Sequence, residues 1–197
     1  MSKADTEEMF AAAEAKGVMC QEGMWTRYFP AVEHARSLID SGAIGQVRLV
    51  QADMGGLMLG GDKSEMLTKR GIANSMLSCY TVQSGPFGFP GAAPAKITAA
   101  GHMPKGYDVF TSAGASIEFD TNVRSICALT WTMEAPLSRK AVISGTHGRI
   151  TLEVTKSQFI LVSVKFGSDA ETLIGRTKFA LRMSCRRVAR RQRSSQW

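Results

Sequence analysis

The chain has 197 residues, enough for one domain or a domain plus part of another, and its 44% hydrophobic content supports a packed core. No apolar run reaches the roughly eighteen residues of a membrane helix, and the opening MSKADTEEMF lacks the apolar stretch of a signal peptide, so neither a membrane span nor a secretory leader is expected. The formal charge of +7 is set by one end: Arg176, Lys178, Arg182, Arg186, Arg187, Arg190, Arg191 and Arg193 follow Thr172 with no acid among them, and without these eight the charge is −1.

Residues 5–16 read as a helix, capped by Ser2 or Asp5 with Glu8 closing a capping box, and stopped by Gly17. Gly17-Val18-Met19-Cys20 reads as a short buried strand, so the opening has the helix–Gly–strand order of a parallel-sheet protein. The loop Cys20–Pro30, CQEGMWTRYFP, concentrates large side chains. Pro30 opens a second helix, where its missing N–H costs nothing. Val32, Ala35, Leu38 and Ile39 share one face of that helix, and Ser41-Gly42 ends it. A strand begins over 45–50. Residues 55–70 read as loop and 73–83 as a weaker helix, and glycine and proline from Gly85 to Pro94 break the chain.

From Ala95 the texture changes. Lys96–Gly101, Thr111–Phe119, Val123–Thr132, Ala141–Ser144, Arg149–Val154 and Gln158–Phe166 read as strands separated by turn signals such as Asp120-Thr121-Asn122 and Gly145-Thr146-His147-Gly148. Short intervals without helices predict antiparallel pairing. The expected fold class is therefore α+β, with a largely antiparallel open sheet. The basic stretch 171–197 is expected to be a disordered tail, with nucleic-acid binding as the competing reading of its charge. Cys20, Cys79, Cys127 and Cys185 are scattered without C-x-x-C, which fits reduced thiols of a cytoplasmic protein and no metal site. His34, His102 and His147 are far apart and show no ligand spacing.

Four stretches resemble the glucose–fructose oxidoreductase / inositol dehydrogenase / MocA family over roughly residues 1–155. They are E-G-M-W-T-R-Y-F-P (Glu22–Pro30), G-A-I-G-Q-V-R (Gly42–Arg48), Ser78-Cys79-Tyr80 followed by Phe87-Gly88, and S-G-T-H-G-R-I-T-L (Ser144–Leu152). The W-T-R-x-x-P run is similar to that of the dimeric trans-1,2-dihydrobenzene-1,2-diol dehydrogenases, which also act as NADP-dependent D-xylose 1-dehydrogenases. The resemblance implies three segments: 1–25 as the last αβ step of a truncated Rossmann domain, 26–170 as a C-terminal substrate and dimerisation domain, and 171–197 as the tail. It also implies an oxidoreductase using NADP on a dihydrodiol or an aldose, and a homodimer formed through the sheet. Nucleic acid is not an expected partner. The chain contains neither G-x-G-x-x-G nor the family's Glu-Lys-Pro segment, so it is expected to be inactive as written. The alternative is a non-catalytic sheet module that pairs with full-length relatives.

The same resemblance proposes site residues. Tyr80 matches the tyrosine of the family's G-G-x-x-x-D-x-G-x-Y and is the candidate acid–base group; the competing reading is a core tyrosine. At the aspartate position stands Met76, which accepts no proton, and the glycine pair reads Gly71-Ile72. Trp25 and Phe29 match residues that wall the substrate pocket, or else pack a hinge. Arg27 matches a contact to substrate oxygen or cofactor phosphate, with a surface ion pair as the plain alternative. Asp108 matches a family aspartate at a strand entry, where a turn cap is its expected job.

Overall fold

The computed structural model describes residues 3–57, 78–107, 109–121, 125–154, 159–167 and 172–178. Helix α1 is Lys3–Ala15, followed by a 3₁₀ turn at Trp25–Tyr28 and helix α2 at Pro30–Asp40. Strands are β1 Val47–Gly55, β2 Pro94–His102, β3 Ser112–Phe119, β4 Ser125–Thr132, β5 Lys140–Gly145, β6 Gly148–Val154, β7 Phe159–Phe166 and β8 Thr172–Lys178. Residues 78–82 are helical and lead directly into a one-turn helix, α3, at Ser84–Gly88.

The strands form one sheet in the order β2-β3-β4-β1-β5-β6-β7-β8. All neighbours pair antiparallel except β1 and β4, which run parallel with Val50 beside Cys127 and Ala52 beside Leu129. The period-two alternation of each strand gives the sheet two unlike faces. Val50, Ala52, Ile117, Phe119, Cys127, Leu129, Ile143, Ile150 and Val164 point to the core, where Ala31, Val32 and Ala35 of α2 and Phe87 of α3 cover them. The apolar stripe read on α2 is thus the buried one, with Leu38 and Ile39 at its margin.

Helix α2 ends as its sequence predicts. Gly42 has φ +70°, its N–H donates to Ile39 O (3.0 Å), and Ala43 N–H donates to Leu38 O (3.0 Å). This pair of bonds satisfies two last-turn carbonyls and needs a left-handed residue, a conformation glycine reaches without a Cβ penalty. The same pair closes α1, through Gly17 to Glu14 O and Val18 to Ala13 O (both 3.0 Å).

Three expectations are corrected. Gly17–Cys20 is not a buried strand: it is irregular, with Val18 60% and Met19 89% exposed. Among the described residues no strand lies beside it, and an extended segment without a neighbour has no ladder to join. The Gly85–Pro94 stretch does not simply break the chain, because Pro86 sits in the first turn of α3, where it is tolerated. The stretch 171–197 is not wholly a tail: Thr172–Lys178 pairs along β7 as edge strand β8. Residues 58–77, which carry Gly71, Ile72 and Met76, lie outside the described residues, as do Asp108 and 179–197. No described helix is long and apolar enough to cross a membrane.

Helix α3 approaches the sheet at backbone distance. A Cβ on Gly88 would lie 2.4 Å from Val50 Cγ2, and Val50 is fully buried. Gly88→Ala therefore overpacks the centre of the core. It is expected to lower unfolding free energy by about 1–3 kcal/mol, read as an earlier midpoint in urea with an unchanged slope.

Candidate substrate-binding site

The aromatic loop is shaped by its own backbone. Glu22 Oε2 accepts from Met24 N–H (2.7 Å), and Gly23 O accepts from Trp25 N–H (2.8 Å). The resulting 3₁₀ turn holds Trp25 with its ring edge-on to Phe29, centroids 5.3 Å apart at 85°, a favoured geometry for aromatic pairs. Two hydrogen bonds then fasten the turn to the helical segment more than fifty residues later. Trp25 Nε1–H donates to Tyr80 Oη at 2.8 Å, and Gln83 Nε2 donates to Thr26 Oγ1 at 3.0 Å. Tyr80 and Gln83 are spaced i, i+3, so they face the turn together.

Beside this junction lies a cavity of about 130 Å³. Val32, Ala52, Phe87 and Leu152 make an apolar floor. Arg27, Tyr80 and Gln83 border it from the helical side, and Asp53, Arg139, Lys140 and Glu153 from the sheet. Tyr80 is half-buried and lines the space directly. Arg27 is exposed and also lines it. Trp25 and Phe29 do not wall it: Trp25 reaches the site through its indole N–H, and Phe29 packs against the core behind it. The structure thus brings Trp25, Arg27 and Tyr80 together and gives Phe29 a supporting place.

An indole N–H only donates. The phenol oxygen of Tyr80 therefore accepts from Trp25, and its own proton has no acceptor among the described residues. Among the described residues, the arrangement leaves that O–H available to an acceptor.

The sheet side was not legible as a site in the sequence. Asp53 Oδ1 accepts Arg139 N–H (2.7 Å), and Asp53 Oδ2 accepts Ser138 Oγ–H (2.5 Å). Arg139 has φ +56°, the one positive φ among the described non-glycine residues, and its Nε–H donates to Gly55 O (3.2 Å). Lys140 and Glu153 pair across β5 and β6 at 3.8 Å. These groups meet because β1 and β5 are neighbours, although Asp53 and Arg139 are 86 positions apart. The only local signal was a Ser-Arg-Lys run just ahead of a strand.

The three histidines are dispersed. His34 is on the exposed side of α2, His102 ends β2, and His147 sits in the β5–β6 turn. The described residues contain no group of side chains that could hold a metal ion.

Two thiols flank the site. Burial, and then the nearby Glu22 charge, push the Cys79 thiol up. Cys127, fully enclosed beneath α3, is pushed from 9.0 to about 11 by burial, partly offset by a hydrogen bond with Ser84. The folded value lies above the unfolded one. The contribution of this thiol to stability is therefore fully present below pH 9 and is lost as pH rises from 9 toward 11, where the unfolded chain releases a proton that the folded chain keeps. Urea midpoints across that range should fall, and the fall should shrink in Cys127→Ala. Iodoacetamide at pH 8 should leave Cys127 unmodified until the protein unfolds, because the thiolate is the reactive form.

A family model described as the GFO/IDH/MocA C-terminal domain matches residues 32–151. Trans-1,2-dihydrobenzene-1,2-diol dehydrogenase of Danio rerio is 32% identical over 151 residues, which cover 76% of this chain and 44% of that protein. The Homo sapiens enzyme of the same name is 28% identical over 153 residues, 77% of this chain and 45% of that one. The chain thus spans less than half the length of the curated relatives it matches. Among solved structures, aldose-aldose oxidoreductase from Caulobacter crescentus, complexed with glycerol, superposes with a TM-score of 0.71 at 20% identity, covering 86% of this chain and 51% of that one. An inositol dehydrogenase homologue from Azotobacter vinelandii, complexed with NADH and myo-inositol, gives 0.69 at 9% identity, covering 85% of this chain and 45% of its own. At these identities the two structures establish the shared fold.

Proposed function

The chain belongs to the GFO/IDH/MocA family through its C-terminal domain, and on that premise we propose that it supplies the substrate-binding part of an NADP-dependent oxidoreductase acting on a dihydrodiol or on an aldose such as D-xylose. The observation that carries this reading is the Trp25 Nε1–H bond to Tyr80 Oη at the edge of the cavity. With its oxygen already accepting, Tyr80 can give its proton to a substrate carbonyl oxygen or hydrogen-bond a carbinol oxygen. As the phenol loses that proton, the indole bond becomes charge-assisted and strengthens. The apolar floor suits the carbon face of a small ring, while Arg27 and Gln83 offer donors at its edge.

The residues present do not fit the dinucleotide itself. A cavity of about 130 Å³ is smaller than the ~300–1,000 Å³ of common ligand sites, and no G-x-G-x-x-G turn occurs in the chain to approach a pyrophosphate. The reading therefore assigns this chain substrate binding and proton handling, and no turnover as written. With Met76 at the family's aspartate position, proton handling within this chain falls to Tyr80.

The test is an NMR titration of the 197-residue chain with trans-1,2-dihydrobenzene-1,2-diol or D-xylose. Amide shifts should centre on Tyr80 and Gln83, and Tyr80→Phe should weaken binding by about tenfold, the worth of one good hydrogen bond. Shifts confined elsewhere would refute the assignment. NADPH should produce no saturable fluorescence change at micromolar concentrations, and a micromolar dissociation constant would overturn the division of labour.

A second reading, a sheet module that pairs with another copy or with full-length relatives, is favoured by the face opposite the helices. There Gln51, Ser116 and Thr130 are exposed, Ile126 is 42% exposed, and the side chains are mostly small. A homodimer packed through this face should sediment as a monomer after Ile126→Lys, with diol binding unchanged.

A further inference from the structure

The cavity is cut into the core by two alanines. In the register of β1, β5 and β6, Val50, Ile143 and Ile150 lie side by side, and all three are fully buried. Two positions along each strand, the next row on the same face reads Ala52, Ala141 and Leu152. A methyl reaches less far from the sheet than a branched side chain, so this row leaves space where its neighbour leaves none. Val32 of α2 and Phe87 of α3, both buried, line that space from the helical side.

The wall of the hollow is hydrocarbon. Asp53, Lys140 and Glu153 adjoin Ala52, Ala141 and Leu152 in sequence, so strand alternation sends their side chains to the opposite face. There Lys140 and Glu153 pair at 3.8 Å. Arg27 and Arg139 are exposed. The uncharged polar side chains at the border each make a bond within the chain: Gln83 to Thr26, Trp25 to Tyr80, and Ser84 Oγ–H to Thr81 O at 2.5 Å. A hydroxyl set against Ala52, Ala141 or Leu152 has no side chain to bond, and burying it unpaired is unfavourable. A ring C–H set there gains by leaving water. An aldose carries oxygen on nearly every ring carbon and has no bare edge to offer.

We propose that this hollow is a binding site for a bare six-membered hydrocarbon ring, and that polyols are excluded from it. The volume agrees, because the hollow measures about 130 Å³ and apolar cavities of about 150 Å³ admit benzene. For its functional consequence the proposal rests on the reading of the cavity as the substrate site, and it narrows that reading. A cyclic substrate enters with its unsubstituted carbons first, its oxygens stay at the border, and D-xylose is not taken.

The test titrates the full chain with benzene and, separately, with D-xylose, following the alanine and leucine methyl resonances. Benzene should shift the methyls of Ala52, Ala141 and Leu152 saturably, with a dissociation constant on the order of 1 mM. D-xylose should leave them in place. Ala141→Ile fills the hollow from β5 and should weaken benzene binding by about tenfold, the worth of the apolar contact it displaces. Should that variant fail to fold, Ala52→Val fills the hollow from β1 and reads the same loss. The inference is overturned by benzene that leaves these methyls unmoved, by binding indifferent to the filling, or by D-xylose that shifts them. Trans-1,2-dihydrobenzene-1,2-diol separates this inference from the reading it narrows. If the diol shifts the Tyr80 and Gln83 amides while benzene leaves the methyls unmoved, the substrate site stands and the inference falls. If benzene fills the hollow and the diol shifts neither amide, the inference stands and the substrate site falls.

Discussion

The site depends on a donor that has no other option. An indole nitrogen cannot accept a hydrogen bond, so Trp25 Nε1–H, 2.8 Å from Tyr80 Oη, dictates the role of the phenol oxygen. From that follows the direction of the phenol's own proton, away from Trp25 and toward an acceptor outside the pair. The edge-on stacking on Phe29 fixes the indole plane, and the Gln83–Thr26 bond keeps the loop and the 78–82 helix in register. These contacts join sequence-distant segments at one point, and the cavity is the space beside it.

The sheet supplies the platform. Its central strand, β1, has a parallel neighbour on one side and an antiparallel one on the other, which places Ala52 beside Ala141 and brings Asp53 to Arg139. Helix α3 closes the far wall because Gly85 and Gly88 let it sit against Phe119, Cys127 and Val50 without intervening Cβ atoms. The apolar floor and the charged rim thus come from the two directions in which side chains leave the strand ends. Packing that seats α3 also encloses Cys127, and that burial is what pushes its thiol up.

Much of this was legible locally. The stripe of Val32 and Ala35, the glycine stops after α1 and α2, and the turn signals bounding the strands over 111–119 and 123–132 obey short-range rules, and these elements formed near where those rules put them. The family resemblance marked Trp25, Arg27 and Tyr80, and they do converge. Two kinds of feature were hidden. Val18 and Met19 carry strand propensity but have no neighbouring strand, so propensity alone misled. Asp53 and Arg139 meet only through the β1–β5 register, a long-range fact of which the Ser138-Arg139-Lys140 run was the one local trace. Trp25 was legible as an aromatic surface, yet it meets Tyr80 through its indole N–H and Phe29 through its ring, a distinction only geometry reveals.

The most direct test of the central claim is the indole ¹H–¹⁵N resonance of Trp25 in the native chain and in Tyr80→Phe. The substitution is expected to move this resonance upfield and speed its exchange with solvent, while backbone amides of the sheet stay in place. An indole resonance with the same position and the same exchange rate in both proteins would mean that Trp25 does not hold Tyr80, and the site as argued would lose its anchor.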